Sequence, residues 1–162
     1  MAKRNLPIGI EFYKTVIDEA YFYVDKALMI KELLDRQSYV NLFTRPRRFG
    51  KTLALDMLKT FFEKEMDEKG SVIDNSRYFA NMKIMDAGDQ YIQHMGKYPV
   101  IYLSFKSSKQ ADRDTAFWMI KKQIAEEYIR HQYVFQTDDL LEVEKNLYQS
   151  IMSLADDNKI YV

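Results

Sequence analysis

From Lys51 onward, apolar side chains recur at spacings of three and four, at Ala54, Leu55, Leu58, Phe61, Phe62 and Met66. That spacing brings side chains back to one side of an α-helix, so the pattern predicts a helix beginning at Lys51. A shorter pattern puts Leu28, Ile30, Leu33 and Leu34 on roughly one side of an earlier helix. A long helix is predicted from about Asp112 to Tyr133, with Phe117, Ile120, Ile124 and Tyr128 on one stripe. Another runs from about Thr137 to Leu154, with Asp139 and Glu142 as its capping pair. Between the helices lie runs of a different kind: Tyr21-Phe22-Tyr23-Val24, Tyr39-Val40-Asn41-Leu42-Phe43, and Tyr98 to Phe105. They are short, mostly apolar and rich in aromatic or β-branched residues, as buried parallel strands are. Pro99 lies at the start of the last run, where a missing N–H is tolerated. Residues 67–97 carry turn signals at Gly70, Asn75, Gly88 and Gly96 and no clear period. Helices alternating with short apolar strands predict an α/β fold with a parallel sheet.

Composition narrows the class. The 162 residues suit a single domain, 1–162, with 1–38 as a strand–helix extension at its N-terminal side. A hydrophobic fraction of 47% with 30% charged residues excludes a disordered chain. No apolar run approaches the roughly 20 residues that span a bilayer. The chain has no cysteine, which excludes disulfides, thiolate zinc sites and a cysteine nucleophile, and its two histidines argue against a His-rich metal site. His94 and His131 are expected at the surface, and Trp118 with the tyrosines in the core and its rim. The opening Met1 to Pro7 has the charges of a signal peptide but no apolar core after them, so a soluble cytoplasmic protein is expected.

Charge balances overall, at 24 basic against 24 acidic residues, which argues against holding nucleic acid or anionic membrane by bulk charge. The distribution is uneven. No acidic residue lies between Asp35 and Asp56, whereas Arg36, Arg45, Arg47, Arg48 and Lys51 all do. The stretch from Phe135 to Asp157 has the opposite bias.

The basic span contains Thr44-Arg45-Pro46-Arg47-Arg48-Phe49-Gly50-Lys51-Thr52, whose last three residues match the end of the phosphate-binding pattern G-x-x-x-x-G-K-[ST]. Backbone N–H groups must curl around phosphate oxygens, and Gly50 offers a backbone without a Cβ in the way. Lys51 would reach the β- and γ-phosphates as a mobile point charge, and Thr52 would put its hydroxyl on Mg²⁺. The helix that follows would aim its positive N-terminal end at the anion. One generic feature is missing: Arg45 stands where the pattern has its first glycine, and Pro46 biases Arg45 toward an extended conformation.

This arginine-rich loop resembles the P-loop of the AAA-ATPase-like family of bacterial and archaeal proteins. Leu6-Pro7-Ile8-Gly9, Tyr23-Val24-Asp25-Lys26 and Ile30 to Leu34 resemble that family's upstream pattern. Gly96 to Phe105 is similar to its next strand. The resemblance covers nearly the whole chain and implies a P-loop NTPase-like three-layer fold, a parallel sheet with flanking helices, incomplete here. It implies ATP and Mg²⁺ as cofactors, held by Arg45, Pro46, Arg47, Arg48, Phe49, Gly50, Lys51 and Thr52, with Thr52 on the metal. Relatives often continue into a nuclease-like domain of the PD-(D/E)XK type. They also carry a later apolar strand ending in Asp-Glu, the Walker B strand, and nothing of that kind follows the loop here. The chain therefore resembles the N-terminal part of such a protein, and nucleotide binding is expected of it rather than hydrolysis. A second reading is a non-enzymatic interaction module that binds a protein partner or nucleic acid through the loop 45–51. Asp25 and Lys26 precede the first helix, where the resemblance implies residues near the nucleotide, whereas helix capping by Asp25 explains that position without function.

Overall fold

The computed structural model describes residues 5–46, 48–67, 69–106 and 112–136. Arg47 and the helix expected from Thr137 to Leu154 lie outside the described residues. The chain divides into two compact units, Met1–Val100 and Ile101–Val162.

In the first unit, α1 (Tyr13–Asp18), α2 (Leu28–Arg36), α3 (Lys51–Phe62) and the short α4 (Asp89–Ile92) are joined by loops and by tight helical turns at Ser76–Tyr78 and Lys83–Asp86. The helix predicted from Lys51 begins there, and the pattern around Leu28 to Leu34 lies within α2. Tyr13, Ile30, Met57, Phe61, Phe79 and Ile84 are fully buried and form the centre of the core with Ala27, Tyr78 and Tyr91. Phe61 meets Phe79 edge-on, with ring centroids 5.2 Å apart at 85°. Tyr13 packs on Phe79 and Tyr23 at 5.3 Å each, a spacing that favours offset or edge contacts. Polar ties cross the core as well. The Tyr13 amide donates to Asp56 Oδ2 at 2.7 Å, linking the start of α1 to the middle of α3. The Tyr13 hydroxyl donates to the Tyr78 carbonyl at 2.9 Å. Burial pushes the Asp56 carboxyl above the usual range, and the Tyr13 amide only partly offsets it.

The second unit contains α5 (Arg113–Arg130) and a short helical turn at Gln132–Gln136. Asp112 caps α5 by accepting the Thr115 amide at 2.8 Å, and this bond holds its carboxyl below the ordinary value. Ala125 is the buried residue of the helix, while Phe117 is 58% exposed and Trp118 46% exposed, so neither sits in a core. His131 is buried, against the expectation of a surface position, with Nε2 3.8 Å from Glu127.

The expected parallel sheet is not there. Among the described residues no strand forms, and the pairing is limited to two isolated bridges, Glu63 with Tyr98 (parallel) and Met66 with Val72 (antiparallel). The described residues therefore do not form the expected three-layer P-loop NTPase-like parallel sheet. The three predicted strands fail for a shared reason: a strand needs a neighbour for its amides, and these amides go elsewhere or the segment stays uncovered. The Tyr21 amide donates to Val16 O at 3.0 Å and that of Phe22 to Asn5 O at 2.8 Å. In the second run Tyr39, Val40 and Leu42 are exposed, with nothing packed over them among the described residues. In the third, the Tyr102 amide donates to the Glu127 side chain at 3.2 Å and the Ser104 amide to Gln123 Oε1 at 3.0 Å. Alternate residues of an extended segment share a face, as do residues four apart on a helix, so side chains of α5 occupy the place of a neighbouring strand.

Candidate functional site

The arginine-rich loop leaves the end of the 39–43 segment and runs into α3. Among the loop's described residues, Arg48 and Gly50 have left-handed backbone, each with φ 70°. Glycine adopts that conformation freely, whereas for Arg48 it stores strain of the kind that gathers at ligand-binding loops. Gly50 is the N-cap of α3, with no side chain to cap the helix, and its carbonyl accepts the Ala54 amide at 2.9 Å. The first amides of α3 therefore have no side-chain acceptor at this cap, and the helix dipole adds positive potential there.

Two ammonium groups rest on carbonyls of this loop. Lys51 Nζ donates to Arg45 O, near the loop's start. Lys26 Nζ donates to Phe49 O at 3.2 Å, just before Gly50. A Cβ built at Gly50 would stand 3.3 Å from Lys26 Nζ, so glycine also leaves room for that lysine. Asp25 orders the chain before α2: one of its oxygens accepts the Ala27 amide at 2.8 Å and the other the Lys83 amide at 2.9 Å. The neighbouring Tyr23 has its hydroxyl pushed up to about 12, by burial first and then by the Asp25 charge, so it is neutral at physiological pH.

Around this loop the first unit opens a cleft of about 660 Å³. Four cationic side chains line it, Lys26, Arg36, Arg45 and Lys51, against a single carboxylate, Glu32. The rest of the lining is mostly apolar, with Leu28, Met29, Leu42, Phe43 and Leu55 among it. A volume of this order suits a ligand the size of a nucleotide, and the wall pairs apolar surface with positive charge. Of the residues expected from the sequence, the cleft gathers Arg45, Phe49, Gly50 and Lys51. Pro46 lines a second hollow of about 410 Å³ with Leu42, Phe43, Thr44, Arg45 and Phe49. Arg48 and Thr52 lie on the loop and the first turn of α3, both exposed. Two further cleft residues lie outside the expected loop, Lys26 just before α2 and Arg36 at its last position. The excess of basic residues after Asp35 signals Arg36, and the resemblance of Tyr23-Val24-Asp25-Lys26 to the family pattern signals Lys26.

Thr52 offers one hydroxyl oxygen, and among the described residues no group of three or more His, Asp or Glu side chains could hold a metal ion. Since Mg²⁺ takes six oxygens and keeps several waters, Thr52 alone fits an ion carried on phosphate oxygens and water.

Among the described residues no helix is long and apolar enough to cross a membrane. No solved structure matches the chain. Among curated proteins, it is similar to an uncharacterized protein in vnfD 5'region of Azotobacter chroococcum mcd 1, with 32% identity over 106 residues. That match takes in 65% of this chain and 18% of the relative, so the matched region spans under a fifth of the relative's length. The pattern that carries the loop extends well beyond it, since the family described as Predicted AAA-ATPase matches residues 7–162, and the chain belongs to this AAA-ATPase-like family.

Proposed function

We propose that this chain binds a nucleoside triphosphate, ATP with its Mg²⁺, at the start of α3. The observation that carries the reading is the cleft, where four cations and one carboxylate surround a glycine-started helix beside an apolar wall. Lys51 would exchange the Arg45 carbonyl for phosphate oxygens, a stronger partner because both groups are charged. Gly50 would let the phosphate approach the backbone, and the first amides of α3 would donate to it. Arg45 would add charge from the loop, and Thr52 would give one oxygen to the magnesium. The apolar residues of the wall would take the base and sugar. These are binding roles, and the reading is of nucleotide binding rather than turnover. A pairing with a PD-(D/E)XK nuclease-like domain in longer family members belongs to the same proposal.

Calorimetry with ATP–Mg²⁺ on the wild-type chain and on Lys51→Ala tests it. Loss of the ammonium should weaken binding at least tenfold, about 1.4 kcal/mol. Failure of the wild-type chain to bind, or equal binding by both proteins, sinks the reading.

A further inference from the structure

We propose that Glu32 holds the sugar of the bound nucleotide, accepting from its 2′- and 3′-hydroxyls, so that the site takes ribonucleotides in preference to deoxyribonucleotides. The inference rests on the nucleotide reading above and goes beyond it, since it gives a role to the one carboxylate among the described residues of the cleft.

Helix α2 turns one stripe toward the cleft: Leu28 and Met29 in its first turn, Glu32 in the next and Arg36 at its end. The neighbouring stripe is used otherwise, because Lys31 and Asp35 pair at 2.6 Å and both bond to the Tyr91 hydroxyl. Glu32 and Arg36 have the same four-residue spacing, in the order that favours an ion pair. They make none, and among the described residues Glu32 has no hydrogen bond or ion pair. A carboxylate that faces a site for phosphates repels the ligand unless the ligand gives it hydrogen-bond donors. The vicinal hydroxyls of a ribose are two such donors side by side, and they suit the two oxygens of one carboxylate. Position agrees with that assignment. The start of α3 lies at the Lys26 end of α2, where Lys26 Nζ is 3.2 Å from Phe49 O. Glu32 lies one helical turn, about 6 Å, further along α2 than Leu28, and a nucleotide's sugar follows its phosphates in the same sense. Leu28 and Met29, with Leu55 on α3, give the same cleft apolar surface for the base.

The test is calorimetry of the full chain with the Mg²⁺ complexes of ATP, 2′-deoxy-ATP and GTP, on wild type, Glu32→Ala and Glu32→Gln. Wild type should bind ATP about tenfold more tightly than 2′-deoxy-ATP, as one hydrogen bond to a charged group allows. In Glu32→Ala the ratio should fall below about twofold. That variant should bind 2′-deoxy-ATP as tightly as wild type or more so, because a like charge has left the site. Glu32→Gln keeps an uncharged acceptor and should hold the ratio at about threefold, which carries the test even if the Ala variant fails to fold. Equal binding of ATP and 2′-deoxy-ATP by wild type, or an unchanged ratio in either variant, overturns the inference while leaving the nucleotide reading intact. So does a variant that changes the ATP-to-GTP ratio instead, since Glu32 would then read the base. A wild-type chain that binds none of the three nucleotides overturns both.

Discussion

Gly50 and Arg48 sit in the same region of backbone space on either side of Phe49, but they bear on the loop differently. An L side chain at Gly50 costs about 1–2 kcal/mol for the left-handed backbone alone, and its Cβ meets Lys26 Nζ as well. Gly50→Ala is thus expected to lower the thermal midpoint and weaken ATP binding. Asn tolerates the left-handed region better than Ala but brings the same Cβ. Gly50→Asn should therefore recover part of the stability and little of the binding, as separate melting and titration experiments would show. Arg48 already carries that left-handed strain, so Arg48→Gly should leave the melting midpoint equal or higher. A clear drop would mean that the arginine makes a contact worth more than its strain.

At the scale of elements, α1 and α3 are joined by a buried carboxylate. Asp56 has a raised folded-state value, so the folded chain takes up its proton at a higher pH than the unfolded chain does. Its influence on stability is most favourable below the unfolded value and declines as pH rises through the folded one. Asp56→Asn keeps an acceptor for the Tyr13 amide and should remove that slope without loss of stability at neutral pH. Asp56→Ala leaves the buried amide without its acceptor and should cost about 1–3 kcal/mol. Phe61→Ala, which opens a cavity against Phe79 and Phe62, should cost about 3–5 kcal/mol by denaturant titration. Helices α2, α3 and α5 were legible because a three-and-four spacing is long and specific, whereas the short α1 and α4 carry no such pattern. The apolar runs were not, because a short run says that residues avoid water but not what satisfies their amides. Glu127 and Gln123 answer that question for Tyr102 and Ser104, from some 20 residues away. Of the loop residues that line the cleft, Arg45, Gly50 and Lys51 were named from spacing and charge. Lys26 was signalled by the resemblance alone, because its bond to Phe49 O links residues 23 positions apart.

For the whole molecule, several carboxylates respond to acid in the other direction from Asp56. Asp35 is held low by Lys31 and then Tyr91, Asp74 by Ser76, and Asp112 by Thr115. In Glu65, burial pushes upward but Lys14 and Asn75 outweigh it, so its value is also lowered. A lowered carboxylate stabilises the fold above its unfolded value, and that support disappears as pH falls through the folded value. The melting midpoint is thus expected to hold near neutrality and to fall once pH drops below about 4. A midpoint that rises in acid would show that Asp56 outweighs the other four. The first unit's core also joins residues far apart in the chain. Tyr13 bonds to Tyr78 across 65 positions, Lys83 to Asp25 across 58, and Tyr91 to Asp35 across 56. Contacts of such span form late, because the intervening chain must be brought round first. During synthesis α1, α2 and α3 leave the ribosome before the residues that cover them, and their inner faces stay wet until Tyr91 has emerged.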